Sequence, residues 1–141
     1  MQQFSIPLRV YIEDTDAGGI VYYVNYLKYM ERSRTEFLRS LGYHKPAILD
    51  GGLLLVVHAA QINYRRSARL DDQLHVTAQI EKLARTYVEF KQQVLRDSEL
   101  LCDGSIRIAC VDAVTMKPSA IPADMHYQLD QFFHSQTVRV N

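Results

Sequence analysis

Cysteine is scarce in this 141-residue chain, with Cys102 and Cys110 the only two. Eight residues apart on one strand, they would share a face but lie too far along it to bond each other. That argues against a disulfide framework and for two reduced thiols in a cytoplasmic interior. Net charge is missing altogether: sixteen basic residues balance sixteen acidic ones. No global field therefore draws the chain onto nucleic acid or an anionic membrane, and a neutral surface does little against self-association. Long apolar runs are absent too; Leu53–Val57, among the longest, is far too short for a membrane span. The start, Met1-Gln-Gln-Phe-Ser-Ile-Pro, lacks the basic head and apolar core of a signal peptide. No Pro/Gly/Ser-rich linker, repeat or low-complexity tract divides the chain, so residues 1–141 are expected to form one domain. Hydrophobic residues at 48% against 23% charged place that domain in the ordinary globular class.

What is present has a clear order. Leu8–Ile12 alternates like a short strand, and Glu13–Gly19 is a loop by composition. From Asn25 to Leu41 the spacing of Tyr26, Met30, Phe37 and Leu41 predicts a helix, with Asn25 as N-cap and Gly42 as the stop. Apolar groups on its other faces (Leu27, Tyr29, Leu38) predict that it is covered on several sides. Leu53–Tyr64 opens with an apolar run of the kind buried on both faces. Leu74–Ile80, Val88–Val94 and Ile106–Cys110 then alternate. Short polar links between these strands imply antiparallel pairing. Ala123–Phe133 reads as a terminal helix. The expected fold is α+β, one curved antiparallel sheet of about five strands wrapped round a long central helix. The run Leu53–Val57 further suggests that the sheet's second face or an edge is covered by another copy, as a dimer or tetramer.

Chemistry concentrates in Asp14-Thr-Asp-Ala-Gly-Gly. Gly18 and Gly19 permit positive φ and close approach of a ligand to the backbone. The loop then feeds the helix start, where free amides and the dipole favour negative charge. A carboxylate opposite such amides suits acyl transfer. By spacing alone, however, an Asx-turn with one solvated aspartate is the better reading.

The stretch Tyr11–Glu36, containing Glu-Asp-Thr-Asp-Ala-Gly-Gly-Ile-Val-Tyr-Tyr, resembles hotdog-fold thioesterases of the 4-hydroxybenzoyl-CoA thioesterase class. Within that class it is most similar to the Tol–Pal-associated acyl-CoA thioesterases of bacteria. Tyr64-Arg-Arg-Ser-Ala-Arg-Leu-Asp-Asp and Val111-Asp-Ala-Val-Thr-Met-Lys-Pro extend the match from about Leu8 to Pro122. The resemblance implies a hotdog fold and hydrolysis of an acyl-CoA thioester, with CoA as part of the substrate and no separate cofactor. Asp16 would be nucleophile or general base, and the backbone N–H near Tyr23 would polarise the carbonyl. Gly18 and Gly19 would let the substrate approach. Lys82, Arg85 and Thr86, with Lys117 as a further candidate, would hold CoA phosphates across a subunit boundary, although a solvated turn is the better reading of Lys82 and Lys117. Acyl carrier protein is a second partner the resemblance admits, as is a binding scaffold with little turnover. The chain departs from the family where Tyr23 replaces a common histidine and Ser67 a usual proline.

Other groups read as structural. Arg65, Arg66 and Arg69 form a basic cluster beside Asp71 and Asp72, without the stacking aromatics of a nucleic-acid site. Glu31 and Arg34, three apart on the helix, are placed to pair. Five histidines show no metal-ligand spacing, so no metal is expected, and His58 reads as a buried, satisfied side chain. No serine lies in a nucleophile-elbow context, and no histidine flanks the Asp14–Asp16 loop as a dehydratase would want.

Overall fold

The computed structural model describes residues 3–45 and 47–137. Met1 and Gln2, the first residues of the leader reading above, lie outside them. Among the described residues the chain builds strand β1 (Phe4–Arg9), a single 3-10 turn (Ile12–Asp14) and helix α1 (Asn25–Ser40). Strands β2 (Ile48–Leu49), β3 (Leu53–Tyr64), β4 (Gln73–Leu83), β5 (Tyr87–Arg96) and β6 (Glu99–Asp112) follow, then helix α2 (Ala123–Thr137). The six strands form one sheet in the order β1-β4-β5-β6-β3-β2, and every pair is antiparallel. This is the expected α+β hotdog architecture, with one strand more than the five expected. The addition is the two-residue β2, too short to show a period.

The first strand is also shifted. It begins at Phe4 and ends at Arg9, whereas Leu8–Ile12 was expected. Pairing of Phe4 with Ala78 and Ser5 with Thr77 overrides the local alternation. Pro7 is tolerated because β1 is an edge strand, where a missing N–H breaks no ladder bond. The terminal helix runs past Phe133 to Thr137. Phe132 packs edge-on against Phe37 of α1 with ring centroids 4.6 Å apart. Gln136 then uses its amide like a strand residue, accepting from the Ile80 N–H at 3.2 Å and donating to the Ile80 carbonyl.

The spacing of α1 does what it predicts. Tyr26, Tyr29, Met30 and Phe37 are at most 3% exposed and join Leu74, Val76, Ile80, Phe90 and Ile106 of the sheet in one core. Each such side chain contributes on the order of 1.5–3 kcal/mol by leaving water. Gly42 ends the helix at φ +103°, a conformation costly for residues with a Cβ. The Gly42 N–H donates to the Arg39 carbonyl and the Tyr43 N–H to that of Leu38, which closes the last turn as a Schellman motif. Gly104 on β6 lets the elements close on one another, since a Cβ there would stand 2.5 Å from Ile62 Cδ1.

Two expectations fail on β3. Leu53–Val56 are half-buried and Val57 is exposed, so one chain alone does not bury this run on both faces. His58 is exposed, not buried: the β3–β6 register passes from Val57–Ile108 to Ala59–Arg107, leaving His58 as the extra residue of a bulge. Beyond the two residues paired by β2, the outer edge of β3 carries no strand among the described residues.

Candidate active site

The Asp16 loop is built by short-range hydrogen bonds. Asp14 is buried, and its Oδ2 accepts the Tyr11 N–H at 2.8 Å. Thr15 bridges Val21, the Asp16 N–H donates to the Ile20 carbonyl at 3.0 Å, and the Gly19 N–H donates to the Asp16 carbonyl at 3.0 Å. Gly19 holds φ +77°, which this tight reversal requires. The Gly18 N–H donates to Asp16 Oδ1 at 3.0 Å. The Asx-turn favoured by spacing therefore exists, and it fixes one oxygen of a carboxylate that remains exposed.

The loop is tied to α1 by Asn25. It was expected as N-cap, but Val24 occupies that position without any side-chain cap bond, and Asn25 is the first helical residue. Its Nδ2 reaches back to the Asp14 carbonyl at 2.7 Å. That oxygen also accepts the Tyr22 N–H at 2.9 Å. The Tyr23 N–H, next in the chain, has no acceptor among the described residues. A free amide donor thus stands at the helix entrance, where the dipole adds to its pull on a developing negative charge.

Tyrosines wall this entrance. The Tyr23 ring packs against Tyr22 at 5.1 Å and Tyr64 at 5.8 Å, and Tyr64 lies 5.7 Å from Tyr26. Tyr26 is anchored because its hydroxyl accepts the Ala68 N–H at 2.9 Å. Asp16, Tyr22, Tyr23, Tyr26 and Tyr64 line one open cleft, with Arg65 at its rim. Sequence reasoning singled out neither Tyr64 nor the backward reach of Asn25. Tyr64 stands 41 positions after Tyr23, a separation no local period reports. Behind the loop, the Tyr29 phenol is fully buried without a hydrogen-bond partner within normal reach. Burial first, and the nearby Asp14 carboxylate second, push its pKa up.

Asp16, Gly18, Gly19 and Tyr23 are therefore brought together; Lys82, Arg85 and Thr86 are not. They sit at the β4–β5 turn, where the Ala84 N–H donates to the Tyr87 carbonyl. The Asp16 loop packs at the opposite end of β4, through the Ile20–Arg69 bridge and the Val10 to Asp72 bond. At about 3.3 Å per residue, the two ends of this strand stand roughly 30 Å apart. Lys82 Nζ lies 5.6 Å from the Tyr87 ring centroid, and Arg85 lines a separate cleft with His126 and Tyr127 of α2. Lys117 sits in the turn after β6, its carbonyl accepting the Asp112 N–H.

The remaining candidates are structural or differently paired. Arg65 bonds Asp103 at 3.0 Å and Arg66 bonds Glu99 at 3.1 Å, so both charges at the cleft rim are matched. The Arg69 N–H donates to Asp72 Oδ2. Glu31 and Arg34 make no ion pair; Arg34 instead donates to Gln92 Oε1 at 2.9 Å. Among the described residues no group of His, Cys, Asp and Glu could hold a metal ion.

The profile of the thioesterase-like superfamily matches residues 10–129. The chain belongs to this superfamily. Acyl-CoA thioesterase YbgC of Haemophilus influenzae is 41% identical over 123 residues, covering 86% of this chain and 90% of the relative. Acyl-CoA thioester hydrolase YbgC of Escherichia coli O6:H1 is 36% identical over 129 residues, covering 91% and 96%. In three dimensions the thioesterase-like chain is similar to a probable thioesterase of Bartonella henselae. The TM-score is 0.75 at 32% identity, over 85% of this chain and 98% of that one. The Asp16 loop and α1 both lie inside the matched span.

Proposed function

We propose that this protein hydrolyses an acyl-CoA thioester to a free acid and CoA, with Asp16 as its catalytic carboxylate. The observation that carries the reading is one cleft holding an exposed carboxylate, fixed by the Gly18 N–H, beside the unpaired Tyr23 N–H. The Tyr23 amide polarises the thioester carbonyl and stabilises the oxyanion. Asp16 either takes a proton from the attacking water or attacks the carbonyl itself, giving an anhydride that water then opens. In both routes the C–S bond breaks and CoA leaves as the thiol. The YbgC relatives, named as acyl-CoA thioesterases, support this substrate class, and the Asp14–Gly19 motif supports the 4-hydroxybenzoyl-CoA class with its Tol–Pal-associated members.

The working unit is a homo-oligomer with composite sites. Val57–Gln61 are exposed on a strand whose outer edge is unpaired, a ready template for a second copy. Antiparallel self-pairing about the middle of this edge sets the Tyr64 end of one β3 beside the Leu53 end of the other. Each Asp16 cleft then faces the β4–β5 turn side of its neighbour, bringing Lys82, Arg85 and Thr86 of the second copy within reach of CoA phosphates.

Asp16→Asn tests the reading in a thiol-release assay over aliphatic and aromatic acyl-CoAs. The variant is expected to lose at least about 100-fold in kcat. Unchanged hydrolysis removes Asp16 from its role, and an inert wild type sinks the hydrolase reading.

A further inference from the structure

The Asp16 loop leans on the segment between β3 and β4. Three main-chain links join the two. The Val21 N–H donates to the Ala68 carbonyl at 2.8 Å, Ile20 bridges Arg69, and the Leu70 N–H donates to the Gly19 carbonyl at 3.1 Å. Gly19 and Ile20 are the residues that close the turn around Asp16. The supporting segment is itself strained, because Asp71 holds φ +71°, in the left-handed region that disfavours a residue with a Cβ.

Arg96, the last residue of β5, fastens that segment. Its Nη1 donates to Asp72 Oδ2 at 2.7 Å and lies 3.4 Å from the Ser67 carbonyl, and its Nη2 donates to Glu99 Oε1 at 2.8 Å. Glu99 Oε2 in turn pairs with Arg66 Nε at 3.1 Å. The same Asp72 Oδ2 accepts the Arg69 N–H at 2.8 Å. An isolated surface pair contributes little. Here one guanidinium fork, 27% exposed, joins both ends of a segment, Arg66–Ser67 and Asp72, to the β5–β6 hairpin. Partial burial opposes the charge of Asp72, but the Arg69 N–H and the Arg96 guanidinium hold its carboxyl below the usual value.

We propose that Arg96 is a positioning residue for the hydrolysis: it clamps the Arg66–Asp72 segment and thereby holds the Asp16 carboxylate in place beside the Tyr23 amide. The inference rests on the hydrolase reading above and adds to it a residue that does not line the cleft. The path is short. Arg96 fixes Asp72, Asp72 fixes Arg69, Arg69 bridges Ile20, and the Ile20 carbonyl takes the Asp16 N–H at 3.0 Å. Loosening the clamp displaces a reacting group without removing a substrate contact, so the loss falls on kcat.

Steady-state kinetics on acyl-CoAs and amide hydrogen exchange test this on the full chain as wild type, Arg96→Met and Arg96→Lys. Arg96→Met is expected to lose about tenfold or more in kcat, with KM within about twofold of wild type. Arg96→Lys should regain part of that loss, since an ammonium can serve Asp72 but cannot fork to Glu99 as well. Exchange should quicken in Arg96→Met at the Asp16, Gly19 and Val21 amides, while amides in the middle of β5 and β6 keep their wild-type rates. Wild-type kcat in Arg96→Met, a loss carried by KM, no recovery in Arg96→Lys, or exchange that quickens throughout the sheet would each overturn the proposal. If the wild type hydrolyses no acyl-CoA, the hydrolase reading fails, and exchange at the three loop amides decides the clamp separately. Should Arg96→Met not fold, Arg96→Lys decides by the same measurements: reduced kcat with faster loop exchange supports the clamp, and wild-type values overturn it.

Discussion

Asn25 Nδ2 donates to the main-chain oxygen of Asp14 at 2.7 Å, joining the first residue of α1 to the loop that carries Asp16. The bond is buried and spans eleven positions. It sets the separation between the carboxylate of Asp16 and the free amide of Tyr23. Asn25→Ala removes the donor and leaves the Asp14 carbonyl with the Tyr22 N–H alone. We expect a stability loss of about 1–3 kcal/mol by thermal unfolding. We also expect kcat to fall on the order of 10- to 100-fold, with a smaller change in KM, because displacement of catalytic groups is felt at the transition state. A destabilised variant with unchanged kcat would make Asn25 purely structural.

Tyr23 offers two separable parts, a ring in the tyrosine cluster and an N–H at the helix entrance. The amide is the part assigned to catalysis. Tyr23→Phe should therefore stay within a few-fold of wild type in steady-state assays. Tyr23→Pro, which deletes the donor, should lose about 100-fold or more in kcat. Near-normal turnover in a folded Tyr23→Pro protein would move the oxyanion donor elsewhere.

The uncovered edge of β3 makes a prediction about assembly. Ala60 is exposed on that edge, and in a self-paired strand a lysine there meets its own copy or a close neighbour of like charge. Ala60→Lys should shift the protein toward monomer in light scattering and lower its activity together with its mass. A wild type that is monomeric at micromolar concentration would remove both the oligomer and the composite site.

Cys102 predicts how stability depends on pH. Burial, and next the charge of Asp103, raise its thiol from 9.0 to about 12. The unfolded thiol ionises first as pH rises, so the unfolded state holds fewer protons and the fold loses stability between about 9 and 12. Below that window the contribution is fully present. Tyr29 shifts in the same direction and adds to the slope. Cys102→Ala should unfold at lower temperature at pH 7 but show a shallower decline across the alkaline range. Equal slopes would show that the thiol is not the group responsible.

Local physics already written in the sequence accounts for much of this protein. The three-and-four spacing of Tyr26, Met30 and Phe37 fixes which side of α1 is buried. The alternation of Leu74, Val76, Ala78 and Ile80 does the same for β4, and Gly42 and Gly19 mark two of the places where φ is positive. The Asp16 turn was legible because its bonds reach only two to four residues. The sequence misled where burial depends on neighbours. The apolar run of β3 proved half-exposed, and His58 fell on a bulge because β6 is one residue short opposite it.

Only the tertiary structure decided what those elements do together. Arg34 turned from its neighbour Glu31 to Gln92, 58 positions away, because α1 lays it against β5. Tyr64 met Tyr23 because the last residue of β3 reaches the helix entrance. Lys82, Arg85 and Thr86 were separated from Asp16 by the length of β4. Each outcome depends on long-range pairing, which the short periods of helix and strand do not encode.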